Sequence, residues 1–148
     1  MDDIREFTVP GPVVGKQRPK FSTRGKYAIA YTPKETANYE SLVRLSYMQA
    51  YSDRKPFEKD VQLAMKIMVY CKIPKATSKK KIAEMLGHIV RPTKKPDLDN
   101  VAKGIWDALN SVAYYDDSQI VSLTVRKYYS DEPKACVTLY AISDQDSV

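Results

Sequence analysis

"VQLAMKIMVYC", residues Val61 to Cys71, decides the fold. Val61, Leu63, Met65, Ile67, Val69 and Cys71 fall on alternate positions, the period-two signature of a β-strand with one buried side. The length and apolar character of that side make this the central element. Upstream, "IREFTV" reads as a first strand, and the following "PGPVVGKQRPK" is a loop, because two glycines and three prolines exclude regular structure. "KYAIAY" reads as a second strand. "TPKE" then combines Thr32 as N-cap, Pro33 at the first helical position and Glu35 three residues after the cap, a capping box that opens a helix running to about Tyr51.

Downstream, "TSKKKIAEMLG" offers Thr77 or Ser78 as a cap, Ile82, Met85 and Leu86 on one face, and Gly87 as a stop. This is a short basic helix, with Met85 and Leu86 as core contacts. Val101, Ile105, Ala108, Leu109 and Val112 recur at helical spacing, which predicts a buried helix from near Asp99 to near Asn110, with Trp106 packing at its border. "IVSLTVRKYY" and "KACVTLYA" alternate at period two and are expected as an antiparallel pair around the turn "SDEPK". With no repeat and no linker, the expectation is one α/β domain of the α+β kind over residues 1–148, a mixed sheet with helices mainly on one face.

A chain of 148 residues with 43% hydrophobic content can bury roughly 68–70% of its unfolded surface in one core. No stretch approaches the roughly 20 apolar residues of a membrane span, and the start "MDDIREF" is acidic with no apolar signal core, so a cytoplasmic protein without a membrane partner is expected. Cys71 and Cys136 lie in alternating apolar runs and read as buried free thiols. The single histidine, His88, leaves little basis for zinc. The short tail "DQDSV" reads as disordered.

The net charge of +6 suits a polyanionic partner, and its distribution sharpens the point. Between Lys72 and Lys95 there are eight basic residues against one acid, Glu84; between Lys16 and Lys26 there are five and none. Lys16, Arg18, Lys20, Lys79, Lys80, Lys81, Arg91, Lys94 and Lys95 are therefore candidates for contacting nucleic-acid phosphates.

Directly after the densest lysines comes "KPDLDNVAKGIWDALN", Lys95 to Asn110. In an extended segment Asp97 and Asp99, spaced by two, project to the same side. Lys103 follows one helical turn later, and Asp107 another turn on, where it reads as a solvated partner of Lys103. Asp116 and Asp117 precede the next strand, which could return Asp117 toward the helix start. Asp99 or Asn100 also suits a helix cap, and "YYDDSQ" also suits an acidic turn. Hard divalent cations bind through a few carboxylates together with substrate phosphate, so the aspartates read as a Mg²⁺ site with Mn²⁺ as a substitute and no organic cofactor. Lys103 would add charge stabilisation in phosphodiester hydrolysis. An EF-hand fails, because Val101 and Lys103 stand where oxygen ligands and a tight glycine turn are required, and neither a nucleophile motif nor a phosphate-binding loop competes.

The segment "RPTKKPDLDNVAKGIWDALNSVAYYDDSQIVSLTVRKYY" strongly resembles the RusA family of Holliday-junction resolvases. "KPDLDN", Lys103 four residues after the second aspartate, "DALN" and "DDSQIV" carry the likeness, and the loop "VVGKQRPK" resembles the phage and Gram-positive branch. By that resemblance Asp97, Asp99 and Asp117 are catalytic metal-binding acids, Asp116 is a supporting acid of the metal site, and Lys103 is the catalytic lysine. The resemblance also implies a homodimer that makes paired symmetric nicks in a four-way DNA junction during recombination, repair or phage DNA processing. The helix "SKKKIAEML" is extra relative to the shortest members. The competing expectations are a flap or fork nuclease with the same acids and a catalytically inactive junction-binding module.

Overall fold

Strand β1 (Ile4–Pro10) alternates exposed and buried residues along its length, turning Arg5, Phe7 and Val9 inward. The computed structural model describes residues 3–17, 20–24, 27–31 and 34–143. Strands β2 (Lys20–Arg24) and β3 (Tyr27–Tyr31) form an antiparallel pair of their own. Only β3 was legible as a strand. Helix α1 (Lys34–Tyr51) follows and ends where expected, while Thr32 and Pro33 of the expected capping box lie outside the described residues, as does the tail 144–148.

Strand β4 (Leu63–Lys72) is the central element that its alternation predicts. It lies inside a four-stranded sheet of order β1-β6-β4-β5, parallel to β5 (Ile120–Ser130) and antiparallel to β6 (Lys134–Ala141). The expected hairpin of the last two strands is therefore corrected. The turn after Ser130 carries the chain past β4, which uses both its edges and separates β5 from β6.

Helices α1 and α3 (Leu98–Ala108) cover one face of this sheet. Tyr39, Val43 and Tyr47 from α1 and Val101, Ile105 and Leu109 from α3 join Leu63, Met65, Ile67 and Val69 of β4 in one core. Trp106 packs at its border, as expected. The fold is thus a mixed α/β arrangement with helices mainly on one face. Helix α2 (Lys79–Leu86) starts at Ser78, whose side chain accepts from the Lys81 amide, and packs beside β5. Past its end, His88 stacks on Tyr128, which the strand register puts with Tyr70 on the face away from Ile67 and Val69. Met85 is buried there, but Leu86 is 46% exposed and is no core contact. Adjacent helix positions point about 100° apart, so turning Met85 toward β5 leaves Leu86 facing water.

Both cysteines are free thiols, but half-buried rather than buried. Cys71 packs against the core, whereas Cys136 lies opposite Met68 on the more open face, near the Thr8 hydroxyl. No helix among the described residues is long and apolar enough to cross a membrane.

Candidate active site

Helix α3 begins one residue earlier than the sequence pattern indicates. Asp97 is the N-cap residue, in extended conformation, yet its carboxylate makes no capping hydrogen bond. A cap aspartate normally accepts from an amide of the first turn. Asp99 lies within the first helical turn rather than in the extended segment, so the two carboxylates are arranged by a helix start and not by strand alternation. Both are exposed, and neither side chain has a hydrogen-bond or ion-pair partner among the described residues. The peptide Lys95–Pro96 that leads into them is cis.

The two aspartates line a cleft with Lys95, Asn100, Gln17 and Glu35. Its opposite wall is the loop Pro12–Gln17, which is fastened to α3 at several points. The Lys16 amide donates to the Asn100 carbonyl at 3.0 Å. A Cβ on Gly15 would meet the Asn100 Cβ at 3.2 Å and the Pro96 Cβ at 3.3 Å, so glycine permits the close approach. Glu35, in the first turn of α1, is a further acid in this cleft that the sequence marked only as a capping-box residue. Its side chain accepts from Gln17 Nε2 at 3.3 Å.

Lys16 itself has a structural partner set. Its Nζ lies 2.6 Å from Asp107 Oδ2 and 3.1 Å from Glu40 Oε1, tying the loop to both helices. Burial works against the charge, but the hydrogen bonds to Asp107 and Glu40 outweigh it and raise the lysine above its ordinary value. The expected pairing of Asp107 with Lys103 is therefore corrected. Lys103 is exposed and makes no ion pair among the described residues.

Of the other basic candidates, Lys79, Lys80, Lys81, Lys94 and Lys95 are exposed, and Arg91 is exposed with its guanidinium 4.5 Å from the centre of the Tyr128 ring. Arg18 and the side chain of Lys20 lie outside the described residues. The Lys94 carbonyl accepts from Lys127 Nζ at 2.6 Å, which holds this basic loop against β5.

Asp117 goes elsewhere than expected. Asn110, just beyond the C-terminal end of α3, donates from Nδ2 to Asp117 Oδ2 at 2.8 Å and accepts from the Asp117 amide at 2.8 Å. The helix does not run back to its own start, so Asp117 stands at the end of α3 opposite Asp97 and Asp99. At 1.5 Å rise per residue, the intervening helix is about 15 Å long. Asp116 caps the short 3₁₀ turn Asp117–Gln119, accepting from the Ser118 amide at 3.2 Å, and lines a separate hollow with Lys59, Asp60 and Tyr115.

Gln119 anchors this corner. Its Oε1 accepts from the Tyr115 and Asp116 amides, and its Nε2 donates to the Glu58 and Val61 carbonyls. Beneath it, the buried Tyr114 hydroxyl donates to the Trp106 carbonyl. Burial, with Asp117, Asp107 and Asp116 adding to it, pushes that hydroxyl far above the ordinary tyrosine range, so it stays a neutral donor.

The structure thus brings Asp97, Asp99 and Lys103 onto the start of α3 and puts Asp116 and Asp117 at its other end. Among the described residues, no three His, Cys, Asp or Glu side chains gather into a group that could hold a metal ion. One chain's described residues do not fit a complete three-carboxylate metal site.

Residues 10–140 match the family model of the endodeoxyribonuclease RusA. The chain belongs to the RusA family. It is also 37% identical over 143 residues to the uncharacterized protein YqaN of Bacillus subtilis (strain 168), an alignment that covers 95% of this chain and 99% of that protein. RusA enzymes act on Holliday-junction DNA, so the family makes this chain broadly one of the junction-resolving endodeoxyribonucleases.

Proposed function

We propose that the protein resolves Holliday junctions by Mg²⁺-dependent paired nicks on opposite strands, in recombination, repair or phage DNA processing. The observation that carries this reading is the pair Asp97 and Asp99, exposed and without a side-chain partner among the described residues at the start of α3, where a pure cap would have its carboxylate bonded to the helix. Asp97, Asp99 and Asp117 are assigned as catalytic acids, Asp116 as a supporting acid, and Lys103 as a group that stabilises charge on the attacked phosphate. A divalent cation bound by such acids would supply charge neutralisation and a more acidic water. Lys79, Lys80, Lys81, Arg91, Lys94 and Lys95 are assigned to the DNA backbone.

The test is incubation of purified protein with a four-way junction, each strand labelled in turn, with and without Mg²⁺, beside flap, fork and linear duplex substrates. Paired nicks only on the junction and only with metal are expected. Preferential cutting of flap or fork substrates overturns junction resolution in favour of the other nuclease reading. Binding should also weaken steeply with salt, since each displaced counterion contributes to the slope. A second reading, a junction-binding module without catalysis, draws on the separation of the two acid pairs within one chain. Tight junction binding with no nick under any divalent metal would favour it.

A further inference from the structure

We propose that Ile89, on the turn that closes α2, is a wedge that enters the branch point of a DNA junction and parts its bases, selecting junctions over continuous duplex. The inference deepens the nuclease reading above and rests on it for the class of substrate. Its starting point is the way α2 ends. The Ile89 amide donates to the Glu84 carbonyl at 2.9 Å and the His88 amide to the Met85 carbonyl at 3.1 Å, the paired bonds that commonly close a helix. In that ending the residue at the position of Ile89 usually packs its apolar side chain back onto the residue at the position of Glu84. A glutamate stands there, and Ile89 is left 78% exposed, the most exposed large apolar side chain among the described residues.

This projection is held firmly. Every amide from Gly87 to Val90 donates to a carbonyl of α2. His88 takes the left-handed conformation, φ 63°, and its ring stacks on Tyr128 with the centres 4.2 Å apart, which pins the turn to β5. Pro92 is buried, and the Lys94 carbonyl is held by Lys127. An apolar side chain fixed in water on a bonded turn is placed to be covered by something.

The charge around Ile89 says what covers it. Lys79, Lys80, Lys81, Arg91, Lys94 and Lys95 are exposed, against the single half-buried acid Glu84 in the same segment. Cations ringing one bare aliphatic side chain match a phosphate backbone with stacked bases inside it, where inserted Ile, Leu or Phe wedges unstack a base step. Two exposed apolar residues, Ile89 and the 46% exposed Leu86, on an eight-residue helix are a scant anchor for a lipid surface. Position favours DNA as well. Eight residues along the chain separate Ile89 from Asp97, a reach of at most about 29 Å, which is less than one turn of duplex, about 34 Å. A wedge that close to the acids meets bases near the phosphate they face. Bases at a branch point are less stacked than those within a duplex, so parting them costs less, and the wedge thereby prefers junctions.

The experiment places 2-aminopurine, which brightens when unstacked, beside the branch point of a four-way junction and adds protein in EDTA, so that no strand is cut. Wild type should raise the fluorescence. Ile89→Ala should lose most of that rise and lower the preference for junction over duplex about tenfold, since the insertion buries the side chain. Ile89→Phe should restore both. Met48→Ala, which trims a side chain 51% exposed on α1, should leave both at the wild-type level. Tight junction binding by wild type without a fluorescence rise overturns the wedge, as does an Ile89→Ala protein that retains the rise and the preference. If Ile89→Ala instead changes only the oligomeric state, or only the binding to phosphatidylserine vesicles, the side chain faces a second copy or a membrane and the wedge is overturned. Nicking assays with Mg²⁺ separate the two readings. A wild type that parts the bases yet never nicks keeps the wedge and removes the nuclease, whereas one that nicks junctions without parting bases does the reverse.

Discussion

Lys16→Met keeps the length and apolar stem of the side chain and removes the ammonium that joins the cleft loop to α1 and α3. The side chains of Lys16, Glu40 and Asp107 are 21%, 17% and 23% exposed. Exposed ion pairs contribute about 0–1 kcal/mol, and removing one partner of a buried pair costs about 3–5 kcal/mol. A triad with about a fifth of its surface in water lies between these limits, so the substitution should cost roughly 2 kcal/mol after allowance for screening. Part of that cost is the repulsion of Asp107 and Glu40, which the shared ammonium now offsets. For a chain of this size the expected fall in Tm is about 4–8 °C. Because Lys16 is raised above the ordinary 10.5, its contribution is complete below that value and is lost as pH rises through the higher folded value. Urea titrations of wild type and variant should thus differ by a constant amount near neutrality and converge only in strong alkali. In an Asp107→Asn, Glu40→Gln background the same substitution should cost little. A difference under about 0.5 kcal/mol at pH 7, or the same cost in both backgrounds, would refute the triad as the fastening of the loop.

Asn110→Ala removes both hydrogen bonds that orient Asp117; cleavage should fall by orders of magnitude with junction affinity unchanged, as single-turnover rates and binding titrations can check. Lys103→Ala should lower the cleavage rate at least a hundredfold without weakening junction binding, whereas a loss of affinity alone makes Lys103 a phosphate-positioning residue. Gly15→Val should push the loop from Asn100 and Pro96 and lower stability by about 1–3 kcal/mol in urea titrations, with Gly15→Ala costing less. Arg5→Leu leaves the Tyr47 hydroxyl and the Lys55 carbonyl without their partner and should cost about 3 kcal/mol. It should also flatten acid sensitivity: the hydrogen bond from Arg5 is the largest influence holding Asp3 below its ordinary value, so that stabilisation is present above the ordinary value and lost as pH falls through the lowered one.

Periodicity made β4, β5, β6, α2 and α3 legible, because each buries one face and writes that burial into its spacing, whereas α1 was read from its start signal. What periodicity does not carry is which strand pairs with which. The run "SDEPK" between two alternating segments reads as a hairpin, yet β4 takes the position between them, a choice made by long-range pairing. Strand β2 was missed because "KFSTR" is short and polar, and it pairs with its neighbour β3 outside the main sheet. The buried Arg5 was equally hidden. A guanidinium at an inward strand position needs Tyr47, Lys55 and the Phe57 ring to satisfy it, and those partners are 42 to 52 residues away in sequence.

The acidic site divides along the same line. Asp97, Asp99 and Lys103 were recognisable together because a helix start fixes neighbours within one turn. Asp117 was expected beside them because the strand that follows it could return the chain toward the helix start, but a helix carries the chain away from its own start at a fixed rise. Two further features then hold Asp117 at the far end. Ser111 adopts a left-handed conformation, φ 67°, and reverses the chain immediately after the helix; turn rules look for glycine or asparagine at such a position, so the reversal is silent in the sequence. Asn110 then clamps Asp117 within one short loop. For the acids to meet within one chain, α3 would have to unwind, exposing Val101, Ile105 and Leu109 from the core. Burying those three side chains stabilises the fold by about 1.5–3 kcal/mol each, so unwinding α3 would sacrifice a large part of a domain's 5–15 kcal/mol.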